Sequence, residues 1–257
     1  MEEYILDYIL VPAGLSIMVA YHMWLIYQVM KHPSRTVIGV NAVNRRLWVS
    51  AMMEDMAKNG VLAVQTLRNN IMASTMMAST AIMLSSLIAL LMTNGGSGNS
   101  SANEIVYGDR SRLGSSIKFF SILVCFLVSF LLNVQSIRYH SHAGVLINVP
   151  YHKLILHDSD DHCQNGRKLM AAFVARTMNK GSYFWSLGLR AFYFSFPLFM
   201  WIFGPIPMAL SSLILVFLLY FLDTSFDFVR VVNASATESP INGEEETNSS
   251  ECNMDLT

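Results

Sequence analysis

Residues 119–137 read FFSILVCFLVSFLLNVQSI and contain no Asp, Glu, Lys or Arg. Three further stretches share this property, at residues 8–30, 71–92 and 191–222. A helix needs about 20 predominantly apolar residues to cross the ~30 Å hydrocarbon core of a bilayer. Four stretches of this length cannot all be packed inside one small soluble core. The sequence therefore predicts an all-α, polytopic membrane protein with four transmembrane helices.

The composition also favours a membrane protein. Hydrophobic residues make up 53% of the chain, charged residues make up only 14%, and the mean hydropathy is +0.40. Soluble globular domains carry about 25% charged residues. After residue 222 the chain becomes polar and acidic, a composition typical of disordered segments. We therefore expect a transmembrane helical domain over residues 1–222 and an acidic disordered tail over residues 223–257.

The charges are segregated along the chain, which predicts a topology. Segments 31–70 and 137–190 hold most of the 17 basic residues, and most of the 18 acidic residues lie elsewhere. Lys and Arg near membrane spans are retained on the cytosolic side. We therefore expect these two segments to face the cytosol, with the N-terminus, segment 93–118 and the C-terminal tail extracytosolic, in the plasma membrane or an endomembrane. The three N-x-[ST] sequons fall in the segments assigned outside and are glycosylation candidates: Asn99, Asn233 and Asn248.

Segment 31–70 is too apolar for a plain loop. Val40, Val43 and Leu47 share a helical stripe, and Arg45 and Arg46 lie roughly opposite them. Basic residues and an apolar stripe on one short helix are typical of a helix that lies in the headgroup region of a membrane. The sequence therefore predicts cytosolic interfacial helices in addition to the four spans.

The last uncharged stretch is longer than a membrane span requires. As one helix, residues 191–222 would extend about 48 Å, well beyond the hydrocarbon core. The break sits near its middle, where Gly204, Pro205 and Pro207 interrupt the helix. Two structures satisfy this pattern. Either one helix kinks and its first part lies in the cytosolic interface, or two half-helices form a re-entrant hairpin that returns the tail to the cytosol. The kinked single helix is our preferred interpretation.

A group of polar residues is predicted at the cytosolic ends of the second and third spans. These spans are consecutive and antiparallel, so polar residues near the two ends should lie at similar depth. Unsatisfied polar groups in hydrocarbon cost several kcal/mol, so these residues must be paired. They could form interhelical hydrogen bonds only, or a polar vestibule that binds an anionic headgroup or a small solute. The candidates are Gln65, Arg68, Asn69, Asn133, Gln135 and Arg138.

Two sets of histidines are further candidates. His22 is the one ionisable residue within the first span, and intramembrane ionisable residues are functional candidates. A neutral histidine bonded to a neighbouring hydroxyl is the simpler interpretation. The loop around His157, Asp160, Asp161 and His162 carries metal-capable groups, but their spacing matches no established ligand pattern, and a solvated polar loop is the preferred interpretation. We expect no bound metal and no cofactor.

Several function classes find no support in the sequence. The chain contains no P-loop, no dinucleotide fingerprint, no H-E-x-x-H and no nucleophile elbow. Its basic residues flank membrane segments instead of forming a patch, which argues against nucleic-acid binding. An integral-membrane metalloenzyme that uses the His/Asp loop is the weakest alternative, and we expect a non-enzymatic protein.

Several short segments together resemble a known family. They are Asn44-Arg45-Arg46-Leu-Trp48-Val, Gln65-Thr-Leu-Arg68-Asn69-Asn-Ile-Met72, Gln135-Ser-Ile-Arg138-Tyr139, and Gly188-Leu-Arg190-Ala-Phe-Tyr193 continuing to Trp201-Ile-Phe-Gly-Pro-Ile-Pro207. The sequence is similar here to the plant and bacterial membrane proteins grouped as domain of unknown function 599. The resemblance covers roughly residues 5–225. It implies a multi-pass membrane protein from a plant, and it implies no reaction, cofactor or catalytic residue.

Two functions remain as hypotheses. The first is a protein that assists the movement of a small solute or ion. Four helices are few for a complete path, so this function requires a homo-oligomer or a membrane partner protein. The second is a membrane organiser or adaptor whose cytosolic segments bind lipids or proteins. Membrane lipids are expected partners in both cases.

Overall fold

The structure is a computed structural model that describes residues 2–94, 112–149 and 160–224. Within these ranges, 94% of the residues are helical and no strand is formed, which confirms the all-α prediction. The six helices are α1 (Glu2–Lys31), α2 (Val37–Glu54), α3 (Met56–Asn94), α4 (Arg112–Ile147), α5 (Asp160–Met200) and α6 (Pro205–Asp223). A short 3-10 turn, Pro33–Arg35, joins α1 to α2.

Four of the helices are long and apolar enough to cross a membrane, as the sequence predicts. These segments are Asp7–Lys31, Ala57–Thr93, Gly114–Ile147 and Pro205–Asp223. Helices α3 and α4 extend far beyond the uncharged stretches within them. At 1.5 Å per residue, the 39 residues of α3 span about 58 Å, so α3 projects past any bilayer core. The projecting part carries the beginning of α3, next to α2.

Helix α2 forms a short shelf at one end of the bundle. It starts at Thr36, whose hydroxyl caps the helix by accepting a hydrogen bond from the Gly39 amide at 3.2 Å. It packs on α5, where the Asn179 side chain donates to the Ala42 carbonyl at 3.2 Å. Val43 and Leu47 point away from the bundle and are exposed. This arrangement is compatible with the predicted interfacial helix.

Helices α3, α4 and α5 form an antiparallel row. Ser74 of α3 shares a 3.0 Å hydrogen bond with Ser136 of α4. Ser129 of α4 donates to the Gly188 carbonyl of α5 at 2.8 Å. Further along the same two helices, the His140 ring of α4 lies against Gly181 of α5. Small residues and interhelical hydrogen bonds of this kind are how membrane helices approach closely.

Helices α1 and α6 run parallel to each other. Gly14 of α1 lies against Ser212 of α6, and ten positions further along, Trp24 contacts Tyr220 with ring centroids 5.8 Å apart. The chain segments that follow both helices meet in an isolated bridge between Thr36 and Thr224. The ends of α1 and α6 therefore lie together.

Two apolar clusters define the ends of the bundle. The α2-end cluster joins residues of α2, α3, α4 and α5, and includes Val49, Leu67, Ile147 and Val174. The far-end cluster joins residues of five helices: Val11 of α1, Ile88 of α3, Ile122 and Phe126 of α4, Leu198 of α5 and Met208 of α6. Helix α5 contributes to both clusters. It therefore runs the length of the bundle like α1, α3, α4 and α6, which makes five lengthwise helices.

The stretch 191–222 is not one kinked helix, contrary to our preferred interpretation. Helix α5 ends at Met200 and α6 begins at Pro205, with a turn at the far end of the bundle. Gly204 adopts φ 143°, a conformation that L side chains rarely adopt, and Pro205 starts α6 because its missing N–H is not needed at that position. The chain reverses here, as in the hairpin alternative, but α6 is about 28 Å long and not a half-helix.

The direction of α6 determines where the described chain ends. Asp223, its last residue, lies beside Tyr21 and near Thr36, whereas the beginning of α1 lies at the far end. The start of α1 and the end of α6 are therefore at opposite ends of the bundle. The sequence predicts that the N-terminus and the C-terminal tail lie on one side of the membrane, and the membrane side of each terminus stays a prediction.

The contact between α4 and α5 depends on Gly188, which gives a stability prediction. A Cβ at this position would lie 2.6 Å from Asn133 Nδ2 and 3.3 Å from the Ser129 carbonyl. We expect Gly188→Ala to destabilise the protein by about 1–3 kcal/mol, as overpacking of a tight contact does. Gly144→Ala is the matched control, because a Cβ there meets its nearest atom at 3.9 Å. Denaturant titrations in detergent measure both, and equal stability of the two variants would contradict the prediction.

Candidate binding cleft

A cleft of about 660 Å³ lies between α2, α3, α5 and α6. Volumes of about 300–1,000 Å³ are typical of small-molecule sites. Helix α5 forms its back, α2 borders it at the α2 end of the bundle, and α3 and α6 form its two sides. The α2 border carries Asn41 and Asn44, both exposed, so the cleft is open there. We name it the α2 cleft.

Each helix presents one narrow face to the α2 cleft. Thr66, Asn70 and Ala73 of α3 line it at intervals of four and three residues, the spacing of one helix face. Helix α6 contributes apolar side chains and, at its end, Asp223. Helix α5 contributes a mixed stripe of hydroxyl, aromatic and basic side chains: Ser182, Trp185, Ser186, Arg190 and Tyr193.

Arg45 is a half-buried cation in the wall of the α2 cleft. Its Nε donates a 2.7 Å hydrogen bond to the Asn179 amide oxygen, which fixes the guanidinium against α5. Burial lowers the pKa of Arg45, because desolvation disfavours the charged form. No carboxylate lies within ion-pair distance of Arg45 in the part of the chain that the structure describes. Its charge is therefore not balanced by a described neighbour.

Arg190 forms a buried ion pair further along α5. Its Nη2 donates to Asp223 Oδ1 of α6, and the two side chains are only 12% and 9% exposed. Tyr21 of α1 donates its hydroxyl to the other oxygen, Asp223 Oδ2, at 2.6 Å. Both carboxylate oxygens are thus engaged, and the network joins α1, α5 and α6.

Two buried donors beside the α2 cleft have no partner. Arg190 Nη1 and Trp185 Nε1 are inaccessible to solvent and make no hydrogen bond to any described residue. Buried polar groups are normally hydrogen-bonded, and an unsatisfied donor costs about 1–3 kcal/mol. Because Arg45 and Arg190 line the cleft with Asp223 as their one carboxylate neighbour in the lining, the cleft has an excess of positive charge. Such a site fits an acceptor-rich, negatively charged ligand.

The two guanidiniums lie at different depths. Asn179, which holds Arg45, and Arg190 are separated by eleven positions on α5, or about 16 Å of helix rise. Beyond Arg190 and Tyr193, the bundle is closed by the far-end cluster, in which the rings of Phe126 and Phe192 pack 5.5 Å apart. The far-end cluster therefore bounds the α2 cleft on the side away from Asn41 and Asn44.

A chain of hydrogen bonds fixes His140 at the cleft wall. Ser74 contacts Ser136, Ser136 Oγ lies 3.2 Å from His140 Nδ1, and Nδ1 lies 2.9 Å from the Ser136 carbonyl. A carbonyl only accepts, so this network assigns the ring proton to Nδ1. Nε2 lies 3.5 Å from Ser182 Oγ, whose hydroxyl donates to the Met178 carbonyl at 3.1 Å. His140 is thus held in a fixed orientation and lines the α2 cleft.

The residues of the predicted vestibule do not line the α2 cleft. On α3, Gln65, Arg68 and Asn69 are exposed, and the cleft is lined by Thr66 and Asn70 between and beside them. The structure therefore does not bring the α3 members to one site with the α4 members. The pairing of Ser74 with Ser136 also puts Asn133 at a different depth from Arg68, because α3 and α4 are antiparallel.

The α4 members of that group take three different positions. Asn133 is fully buried, bonds to the Ser129 carbonyl at 2.9 Å and lies against Gly188, so it faces α5 and not α3. Gln135 is half-buried and Arg138 is exposed. None of the three borders the α2 cleft.

His22 contacts none of its expected partners. Its Nδ1 lies 2.7 Å from the Met18 carbonyl on the same helix, and its ring lies 6.4 Å from that of Phe194. Neither Asn133 nor a hydroxyl of α3 bonds to it. His22 is, however, next to Tyr21 and so lies close to the Asp223 network.

The metal and glycosylation candidates fall mainly outside the described residues. His157 and the sequons at Asn99, Asn233 and Asn248 lie there, as does the tail after residue 224. The backbone of Asp160, Asp161 and His162 begins α5, and their side chains are not described. In the described ranges, no group of three or more His, Cys, Asp or Glu residues is placed to hold a metal ion.

Sequence reasoning missed the residues that carry the charge of the cleft. Arg45 and Arg190 occur in the segments that carry the family resemblance, but neither was singled out as a site residue. One signal was available for Arg190, because it is a single charge between aromatic residues. No sequence signal connects it to Asp223, 33 positions away.

Comparisons with known proteins give one match. A family model described as "Protein of unknown function, DUF599" matches residues 9–228, which contain every residue of the α2 cleft. No curated protein and no solved structure matches the chain at a significant level.

Proposed function

Because the chain belongs to the DUF599 family of proteins of unknown function, and because four of its described helices are long and apolar enough to span a membrane, we propose that it is a multi-pass membrane protein. We propose further that it binds a small anionic solute in the α2 cleft and assists its movement. The single observation that carries this proposal is the unbalanced, half-buried guanidinium of Arg45 in the wall of a cavity of ligand size.

The physical argument concerns unpaired charge. Charged groups within a membrane protein are normally paired or face a water-filled cavity, because removing an ion from water is costly. Arg45 is held by a neutral amide and Arg190 has one free buried nitrogen. An anion bound between these groups would supply the missing acceptors. The guanidinium fork also suits carboxylate, phosphate and sulfonate geometry.

The shape of the α2 cleft favours movement of a solute over simple storage. Arg45 marks the open end and Arg190 lies deeper, so two cationic positions follow one another along α5. The far-end cluster closes the path, and a passage would require this cluster to separate or a second copy of the chain to complete the route. We therefore propose that the working unit is a homo-oligomer or includes a membrane partner protein.

The charge distribution suggests how the bundle is oriented. The basic segments 31–70 and 137–190 include α2 and the beginnings of α3 and α5, all at the α2 end. By the positive-inside rule, the α2 end faces the cytosol of a plasma membrane or endomembrane. With five lengthwise helices, we propose that the N-terminus lies outside and that the C-terminal tail lies in the cytosol. The α2 cleft opens to the cytosol.

A second candidate function rests on α2. Leu47 is 66% exposed and Val43 is 45% exposed on the face of α2 that points away from the bundle, next to the exposed Arg46. Such a face suits contact with anionic lipid headgroups or with another protein. In this case the protein is a membrane organiser or adaptor.

Arg45 provides the test of the proposed function, with Arg46 as its matched control. The probe is 4-iodobenzenesulfonate, an anion whose heavy atom quenches tryptophan, and Trp48 and Trp185 both line the α2 cleft. In nanodiscs of neutral lipid, we expect Arg45→Ala to raise the Kd at least about tenfold. The reason is that a hydrogen bond to a charged group contributes about 1.5–3 kcal/mol. Arg46→Ala, which removes an exposed charge, should change Kd less than about twofold.

The neutral analogue 4-iodobenzenesulfonamide controls for partition into the lipid and for apolar contact. We expect weak, non-saturable quenching by the sulfonamide. Equal Kd values for Arg45→Ala and the unmodified protein, or equal quenching by the sulfonamide and the sulfonate, would show that the cleft does not recognise anions through Arg45.

A further inference from the structure

Arg190 is paired with Asp223, a carboxylic acid whose place on the guanidinium another anion can take. Arg190 forms an ion pair with Asp223, while its Nη1 stays unpartnered beside the α2 cleft. Asp223 therefore occupies, from within the chain, the position that a bound anion would take on this guanidinium. Two anions on one buried cation would leave a net negative charge, which is strongly unfavourable in a medium of low dielectric constant.

We propose that Asp223 is a proton-binding site coupled to anion binding: a solute anion takes the place of Asp223 on Arg190 as Asp223 takes up one proton. This inference rests on the proposed function, because it needs an anion in the α2 cleft. It adds a second ligand, the proton, and a fixed ratio of one proton to one monovalent anion.

The exchange balances in charge and in bonds. A proton from water forms an O–H bond with an Asp223 carboxylate oxygen, and the Arg190 guanidinium stays protonated throughout. The ion pair between Arg190 and Asp223 is replaced by one between Arg190 and the anion. No covalent bond of the solute is made or broken. The cleft gains one negative and one positive charge, so its net charge does not change.

Tyr21 suits both states of Asp223. Its hydroxyl now donates to Asp223 Oδ2 at 2.6 Å. A phenolic hydroxyl is both a donor and an acceptor. When Asp223 is protonated, the same hydroxyl can accept a hydrogen bond from the acid, so Tyr21 and Asp223 can stay hydrogen-bonded to each other in both states. A phenylalanine at this position would offer neither bond.

Other titratable and charged groups surround Asp223, and they must be separated from it experimentally. They are Tyr21 and His22 of α1, Arg45 of α2, His140 of α4, Arg190 and Tyr193 of α5, and Tyr220 of α6 itself. Among them, Asp223 is the one carboxylate and the one group paired with Arg190. His140 and His22 are the groups whose titration could imitate the effect.

The test measures anion affinity as a function of pH. The sulfonate of 4-iodobenzenesulfonate stays ionised across the accessible range, so the probe does not titrate. For uptake of one proton per anion, the Kd of the unmodified protein should rise by up to about tenfold per pH unit once Asp223 is ionised. Asp223→Asn mimics the protonated acid. It should bind the sulfonate with a Kd that does not depend on pH and that lies below the unmodified value at high pH.

Proton uptake supplies an independent readout on the unmodified protein. In weakly buffered solution at a pH where the Kd is rising, sulfonate binding should remove about one proton per anion bound. It should remove none in Asp223→Asn. The number of protons that the unmodified protein takes up per bound sulfonate tests the proposal even if Asp223→Asn does not fold. His22→Gln should keep the uptake, because His22 does not line the α2 cleft.

The outcomes distinguish this inference from the proposed function. If the sulfonate binds through Arg45 but its Kd is independent of pH and no proton is taken up, the proton coupling is wrong and the anion cleft stands. A pH dependence that persists in Asp223→Asn and disappears in His140→Gln also overturns the role of Asp223. If no variant binds the sulfonate, the proposed function itself fails.

Discussion

Replacing Asp223 with leucine is expected to destabilise the protein by about 3–5 kcal/mol, one of the largest effects of any single substitution. The reason is that Arg190 would keep its charge while losing its one described carboxylate partner, at a position where both side chains are almost fully buried. Unlike a carboxylic acid, a guanidinium cannot escape by losing its proton. Denaturant titrations in detergent micelles measure this loss.

Two further variants separate charge burial from loss of contact. The double variant Arg190→Met/Asp223→Leu removes both charges and should recover most of the lost stability, because replacing a whole buried pair by apolar side chains is often neutral. Glu54→Leu removes an exposed carboxylate of α2 and should have little effect. A double variant as unstable as Asp223→Leu would mean that the pair does not act as a buried charge unit.

The bound anion should partly rescue Asp223→Leu. If the sulfonate probe pairs with Arg190, saturating probe should raise the stability of this variant more than that of the unmodified protein, because binding to the folded state stabilises it. This links the stability experiment to the anion site.

The all-α fold and the four apolar helices follow from features that are local in sequence. Uncharged stretches of about 20 residues identify membrane helices because the bilayer acts uniformly on every residue along them. The break at Gly204-Pro205 is also a local signal, and it occurs as a helix boundary in the structure.

The division of the stretch 191–222 between two helices could not be predicted from such local features. Because residues 191–222 carry no charge, the sequence pattern groups the end of α5 with α6 in one stretch. Because Arg190 is charged, the same pattern separates the end of α5 from the rest of that helix. In the structure Arg190 lies inside a continuous helix, and Asp223 of α6 compensates its charge. A contact between residues 33 positions apart leaves no local pattern. The fifth lengthwise helix was therefore missed.

The candidate site shows a similar limit. Depth along a helix can be estimated from residue number at 1.5 Å per residue. Rotation about the helix axis decides which neighbour each residue faces. Thr66 and Asn70 line the α2 cleft, whereas Gln65 and Asn69, one position away from each, are exposed. That rotation depends on packing against α4 and α5.

The second prediction with a large effect concerns the sides of the membrane, and its outcome is all-or-none. The α2 cleft and the Asp223 network exist only if α5 and α6 both run the full length of the bundle. If α5 crosses the membrane in addition to the four apolar helices, we expect the chain after Thr224 on the same side as the turn Pro33–Arg35, and opposite the N-terminus. Four crossings would place the tail on the side of the N-terminus.

Labelling of single cysteines by a membrane-impermeant maleimide, on sealed and then on permeabilised vesicles of known orientation, tests this directly. The variants are Glu3→Cys, Ser34→Cys and Ser235→Cys in a chain whose Cys125, Cys163 and Cys252 are replaced by serine. We expect Ser34→Cys and Ser235→Cys to be labelled from one side and Glu3→Cys from the other. Labelling of Glu3→Cys and Ser235→Cys from the same side, with Ser34→Cys opposite, would contradict the five-helix bundle and the cleft within it.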